Sequence, residues 1–78
     1  MVTPESIQHG IEQNMATEYV EVDGDGHHFE AVIVSAEFVG LNRVRRHQRV
    51  YRAVGDRMKE EIHALSMKTY TPEEWEKH

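Results

Sequence analysis

The turn sequence Asp-Gly-Asp-Gly at residues 23–26 does most to restrict the folds open to this chain. Two glycines in four residues supply the positive φ angles that a tight β-hairpin needs. Before the turn, residues 19–22 alternate between apolar and polar side chains, and after it Phe29–Val34 is mostly apolar. Alternation is typical of a half-buried strand, and an apolar run is typical of a strand at the centre of a sheet. The pattern therefore predicts an antiparallel hairpin whose second strand is central.

Capping signals predict helices on both sides of this hairpin. Thr3 followed by Pro4 is typical of an N-cap and a first helical position, and Asn42 is expected to cap a second helix. An apolar residue at every fourth position predicts that the first helix covers about residues 4–15: Ile7, Ile11 and Met15. On the second helix, four side chains are expected to share one face: Val44, His47, Tyr51 and Val54.

Gly55 is expected to end the second helix, and a short further helix is expected to run to about residue 61. Residues 62–70 are predicted to form a third strand. Thr71-Pro72 then opens a final helical turn that carries Trp75. The order α-β-β-α-α-β-α predicts one α+β domain over residues 1–78, with a three-stranded mixed sheet and helices packed on one face. The third strand returns through a helical crossover and should lie parallel to one of the first two.

The chain has no cysteine, which excludes disulfides, thiol catalysis and a metal site built from its own thiolates. The serines have no Gly-x-Ser-x-Gly setting, so an enzyme is not expected. No apolar run is long enough to span a membrane, and no secretory leader is visible. We expect a soluble cytoplasmic protein with no membrane partner.

Charge is distributed unevenly along the chain. Residues 1–42 contain eight acids and no Lys or Arg, whereas residues 43–78 contain nine bases and six acids. Most of the bases lie between Arg43 and Lys59. A solvated helix face is the ordinary explanation of such a strip, and weakly specific nucleic-acid binding is the alternative. The segment Gly40-Leu41-Asn42-Arg43 matches a phosphate-gripping GXXG loop only in part, because Arg43 replaces the second glycine.

Six histidines raise the question of a metal site. His27 and His28 follow the turn, and His63 lies near the start of the predicted third strand. A closed zinc site needs about four ligands, and adjacent side chains on a strand point to opposite faces. Spacing alone therefore favours ordinary surface or half-buried histidines.

Several blocks of sequence, taken in order, resemble the BolA-like family, and most closely its small bacterial acid-stress-associated branch. The resemblance extends over about residues 22–75. It is carried by residues 26–35 (GHHFEAVIVS), 38–41 (FVGL), 46–51 (RHQRVY), 62–68 (IHALSMK) and 71–75 (TPEEW). It implies a class II KH-like α+β fold, in agreement with the order of elements predicted above.

The resemblance also implies a role for the histidines. BolA-like proteins pair with monothiol glutaredoxins, and a [2Fe–2S] cluster bridges the two proteins. The partner and its glutathione provide thiolates, and the BolA-like chain provides a histidine and a second ligand from the hairpin loop. By this resemblance His63 is expected to be one ligand, with His27 favoured over His28 as the loop ligand. His47 matches an Arg-His motif and is expected to have a packing or supporting role.

The resemblance leaves other functions open. Other members of the family are described as transcription regulators, which would make the basic helix a DNA-binding surface. The residues expected to contact phosphate are Arg43, Arg45, Arg46 and Arg49. A further alternative is an interaction module that docks on glutaredoxin without a stable cluster. The sequence also leaves open whether the isolated chain forms a homodimer.

Overall fold

The structure is a computed structural model that describes residues 3–55 and 64–78. Its elements are α1 (Pro4–Asn14), β1 (Tyr19–Gly24), β2 (Phe29–Val34), a 3₁₀ turn (Ala36–Phe38), α2 (Arg43–Val54), β3 (Leu65–Tyr70) and α3 (Pro72–Lys77). This arrangement confirms the predicted α+β fold. The predicted short helix up to residue 61 and the start of the predicted third strand lie outside the described residues.

The three strands form one mixed sheet in the order β1-β2-β3. β1 and β2 are antiparallel, with Val20 opposite Ile33, and β2 and β3 are parallel, with Phe29 opposite Leu65. The central position of β2 and the parallel return of the third strand are therefore confirmed. The return is parallel because the chain crosses one face of the sheet through α2 before it enters β3.

The predicted caps begin the helices. The Thr3 side chain accepts a hydrogen bond from the Ser6 N–H, and the Asn42 side chain accepts one from the Arg45 N–H. Thr71 and Glu74 form a reciprocal capping box at the start of α3. These side chains satisfy N–H groups that lack partners in the first turn of a helix, so each helix begins where the sequence places a polar cap.

The core lies between α1, α2 and one face of the sheet. Residues paired across a sheet share a face, and this face carries Val20, Ile33 and Ala31, all buried. The predicted α1 stripe packs here, and the 3₁₀ turn adds Phe38. The buried cluster consists of Ile7, Ile11, Met15, Val20, Phe29, Ala31, Ile33, Phe38, Val50, Ala53, Val54, Ala64 and Leu65.

The short α3 is placed differently from the prediction that all helices pack on one face. Its Trp75 ring stacks on Tyr19 and lies close to Tyr70, with ring centroids 5.2 Å apart in both pairs. Tyr19 and Tyr70 both pair with Val34, so they project from the sheet face opposite the core. Trp75 therefore helps to cover the far end of that second face, while α1 and α2 pack on the first.

The buried residues of α2 lie in the second half of the helix. Val44 is 64% exposed, whereas Val50, Ala53 and Val54 are buried. At about 100° per residue, Val44 lies roughly 120° around the helix from Val50 and cannot reach the same surface. The face shared by Val44, His47, Tyr51 and Val54 is therefore exposed at the start of α2 and buried at its end, because packing centres on the last two turns of the helix.

Candidate functional site

The hairpin loop lies two residues further along the chain than the turn predicted at residues 23–26. Gly24 is the last residue of β1, and the loop comprises residues 25–28. Gly26 has a φ of +95° and takes the left-handed conformation that the loop requires. His27 and His28 both lie in the loop and are exposed, so they are not fixed on opposite faces of a strand.

The Asp25 side chain organises this loop. Its Oδ1 accepts the His27 N–H at 2.8 Å and the His28 N–H at 2.9 Å, and the Asp25 N–H donates to the His28 carbonyl at 3.2 Å. The His28 and His27 amides stabilise the ionised carboxylate and lower the pKa of Asp25. One carboxylate thus fixes the backbone from which both imidazoles project.

The parallel register places the loop histidines beside the start of β3. Phe29, which follows the loop, is paired with Leu65, the first residue of β3. The chain therefore enters β3 at the end of the sheet that carries His27 and His28. His63, the strongest ligand candidate in the sequence, lies outside the described residues, which begin again at Ala64.

His28 lines a surface depression of about 380 Å³ together with Asp23, Asp25 and Glu30. The residues that line this depression are therefore mainly acidic. Within residues 3–55 and 64–78, no three His, Asp or Glu side chains are arranged to hold a metal ion.

Two arginines predicted to contact phosphate are bonded within the chain. Arg46 forms a bidentate pair with Glu74, at 2.7 and 3.2 Å, and its Nε donates to the Leu41 carbonyl at 2.9 Å. Arg49 pairs with Glu37 at 2.9 Å and donates to the Asn14 carbonyl at 3.1 Å. Each guanidinium connects α2 to a neighbouring element, so both side chains support the fold.

The carboxylates of these pairs titrate at unusually low pH. The Arg46 hydrogen bond and the Thr71 amide lower the pKa of Glu74 to about 2. The Ala16 amide, followed by Arg49, lowers the pKa of Glu37. Both pairs are therefore fully charged at neutral pH.

The other two candidate arginines remain on the surface. Arg43 and Arg45 occupy the first turn of α2 and are exposed. Neither takes part in an ion pair between described residues. Of the four arginines predicted to contact phosphate, the structure leaves these two available.

His47 is half-buried on α2 and lies away from the hairpin loop. It lines a groove with Arg43, Met67 and Tyr70, along the later part of β3. Burial, followed by the positive charge of Arg43, lowers the pKa of His47. The structure therefore does not bring His47 together with His27 and His28.

Sequence reasoning missed Asp25 and the acid partners of the arginines. An aspartate two residues before the first histidine is the signature of an Asx turn, in which its side chain accepts downstream amides, so Asp25 could have been found. Glu37 and Glu74 are 12 and 28 residues from their arginines, and no local pattern connects them. None of the helices in the described part of the chain has the length and apolar character needed to cross a membrane.

Comparison with known proteins identifies the family. Residues 1–74 match the family model described as BolA-like protein. The DNA-binding transcriptional regulator BolA of Haemophilus influenzae is 37% identical over 84 residues, covering 90% of this chain and 82% of that protein. Acid stress protein IbaG of Escherichia coli is 39% identical over 70 residues, covering 88% of this chain and 83% of that protein.

A solved structure of a bolA protein homologue from Coxiella burnetii is 48% identical to this chain. The likeness covers 97% of this chain and 99% of that one, with a TM-score of 0.84. Sequence and three-dimensional structure thus agree over nearly the whole length. The chain belongs to the BolA-like family.

Proposed function

We propose that this chain is a non-enzymatic adaptor that pairs with a monothiol glutaredoxin and shares a bridging [2Fe–2S] cluster with it. The observation that carries the proposal is the register of β2 and β3. It places two exposed histidines, His27 and His28, at the end of the sheet where β3 begins. The other proposed ligand, His63, immediately precedes Ala64 in the sequence, where the described residues begin again.

The donor set of the chain suits a shared cluster. Because the chain has no cysteine, the thiolates must come from the glutaredoxin and its glutathione. Imidazole ligands in place of thiolates on one iron raise the reduction potential of a [2Fe–2S] cluster. The Asp25 carboxylate holds the loop backbone, so a loop imidazole needs little ordering when the partner arrives.

The cluster-bridged pair should weaken in acid. An imidazole binds a metal only in its neutral form, so protonation of His63 or of the loop histidine competes with iron. We expect the amount of one-to-one complex to fall as the pH is lowered.

Anaerobic cluster reconstitution with a monothiol glutaredoxin tests the proposal. Visible circular dichroism with and without this chain reports the ligand environment, and gel filtration reports the stoichiometry. We expect a changed spectrum and a one-to-one complex that His63→Ala abolishes. His27→Ala and His28→Ala identify the loop ligand, because only the ligating residue should alter the spectrum.

His9→Ala is the matched control, because His9 is an exposed histidine on α1. It should leave the spectrum and the complex unchanged. An unchanged spectrum on adding the wild-type chain would refute the shared cluster. If a one-to-one complex still formed without a spectral change, docking without a cluster would be the function.

A second candidate function is DNA binding through α2. It is favoured by the exposed Arg43 and Arg45, which have no ion-pair partner among the described residues, and by the relative named as a DNA-binding regulator. Arg43→Ala combined with Arg45→Ala should then weaken DNA retention and flatten its salt dependence. Under the adaptor proposal the same double variant should leave cluster pairing intact.

A further inference from the structure

A groove runs along the outer edge of β3, at the opposite end of the strand from the hairpin loop. We call it the β3-edge groove; it has a volume of about 640 Å³. Its walls are the first turns of α2, the later part of β3 and the start of α3. The lining residues used below are Leu41, Arg43, Met67, Lys68, Tyr70 and Glu74.

The main chain of β3 is open to this groove. Among the described residues, β3 pairs with β2 alone. The Tyr70 carbonyl accepts the Ser35 N–H at 3.0 Å, so Tyr70 points its polar groups towards β2. Main-chain groups alternate in direction along a strand, so those of Met67 and Thr69 point outwards. Arg46 Nη1 reaches the outward Thr69 carbonyl at 3.4 Å, and the described part of the chain offers the outward groups of Met67 no partner.

Charge and apolar surface indicate what fits there. Arg43 and Lys68 stand on α2 and β3, both exposed and both outside the ion pairs formed between described residues. Glu74, the carboxylate of the groove, is held by Arg46. Half-buried Leu41 and Met67 add apolar surface between the two cations.

We propose that the β3-edge groove binds an extended acidic peptide of a partner protein as a fourth strand of the sheet. Its main chain pairs with the outward groups of Met67 and with the Thr69 N–H, since the Thr69 carbonyl already accepts from Arg46. Its carboxylates meet Arg43 and Lys68, and an aliphatic side chain covers Leu41 and Met67. Strand addition of this kind takes affinity from the main chain and specificity from alternate side chains.

The same features disfavour a nucleic acid in this groove. The Arg46 guanidinium is already paired with Glu74, so it is not free to bind a phosphate. The Tyr70 ring packs against Trp75 at 5.2 Å and against His78 at 5.5 Å, so it is not free to stack on a base. Arg43 stands where the second glycine of a GXXG clamp would allow close approach of a phosphate.

The test uses the full chain and a blocked octapeptide of alternating Glu and Val. Its binding is followed by NMR of the ¹⁵N-labelled protein. We expect saturable shifts at the Met67 and Thr69 amides and slower hydrogen exchange at Met67. Arg43→Glu and Lys68→Glu should each weaken binding by about fivefold, the effect of exchanging one exposed attraction for a repulsion. Arg52→Glu, exposed on α2 outside the groove, is the matched control and should bind like wild type.

Three results would overturn the proposal. The first is no saturable binding by the wild-type chain. The second is equal binding of an octapeptide with proline at alternate positions, which lacks the main-chain donors. The third is displacement of the peptide by a short duplex DNA whose binding Arg43→Glu and Lys68→Glu also weaken, which would make the groove a nucleic-acid site. These results do not depend on His63, so they are independent of the cluster proposal.

Discussion

The substitution Gly24→Ala tests how tightly the hairpin packs beside the loop that carries the two exposed histidines. A Cβ at Gly24 would lie 2.5 Å from the His28 carbonyl oxygen and 2.6 Å from Cδ1 of Phe29. Non-bonded carbons attract best at about 3.5–4.0 Å, so both contacts are repulsive. Neither neighbour moves easily, since the His28 carbonyl accepts the Asp25 N–H and Phe29 is 1% exposed. Gly24→Ala must therefore distort the hairpin.

The size of the effect follows from two opposing contributions. Overpacking costs about 1–3 kcal/mol, and two contacts this short place Gly24→Ala near the upper end. Replacing glycine within a strand recovers about 0.5–1 kcal/mol of conformational free energy. The free energy of unfolding should therefore fall by about 2 kcal/mol. At a slope of about 1–1.5 kcal/mol per molar urea for a domain of this size, the midpoint falls by about 1.5 M.

Urea unfolding followed by far-UV circular dichroism measures this shift, and Gly10→Ala is the control of opposite sign. Gly10 lies within α1, and a Cβ there meets Val54 Cα at an ordinary 3.9 Å. Helix propensity then predicts a gain of about 0.5–1 kcal/mol. A wild-type midpoint for Gly24→Ala, or a loss of stability for Gly10→Ala, would refute the packing argument.

Three further outcomes follow from buried or paired polar groups. Arg46 lowers the pKa of Glu74 from 4.5 to about 2, so the stability from the ionised carboxylate is present above pH 4.5 and is lost as the pH falls towards 2. In Glu74→Gln the melting temperature should therefore depend less on pH between these two values. Ser35→Ala should cost about 1–3 kcal/mol in urea unfolding, because the buried hydroxyl donates to one main-chain carbonyl and accepts one amide. Arg43→Gln should raise the pKa of His47 in an NMR titration, since the Arg43 charge helps to lower it; an unchanged pKa would leave burial as the whole cause.

Local signals in the sequence were sufficient for most of the fold. Side-chain caps and apolar periodicity depend on neighbours within four residues, so the starts of α1, α2 and α3 and the bounds of Phe29–Val34 could be predicted. The parallel return of β3 followed from the helix between the strands. The position of Trp75 did not follow, because no local rule states which sheet face a short terminal helix meets.

The positions of the loop histidines were predictable from the sequence, and the surroundings of the arginines were less so. Loop histidines after a Gly-rich turn were found where the sequence placed them, and the register beside Leu65 required only the parallel topology. The basic strip was harder to interpret. A row of arginines has the same sequence pattern whether the side chains face solvent or a distant carboxylate, and Arg46 and Arg49 face carboxylates.

The ion pairs of Arg46 and Arg49 limit the salt dependence expected if the chain binds DNA. If all four arginines contacted phosphate, they would contribute about −3.6 to the slope of log K against log salt concentration, whereas the exposed Arg43 and Arg45 alone would contribute about −1.8. To reach the larger value, Arg46 and Arg49 would have to abandon bonds that join α2 to α1, to the 3₁₀ turn, to Leu41 and to α3. The salt dependence of DNA binding by the double variant Arg43→Ala/Arg45→Ala therefore distinguishes contact by all four arginines from contact by Arg43 and Arg45 alone. A double variant that retains half of the four-arginine contribution would mean that α2 gives up its internal pairs to bind DNA, and the bonds from α2 to Glu37 and Glu74 would then have to break in the complex.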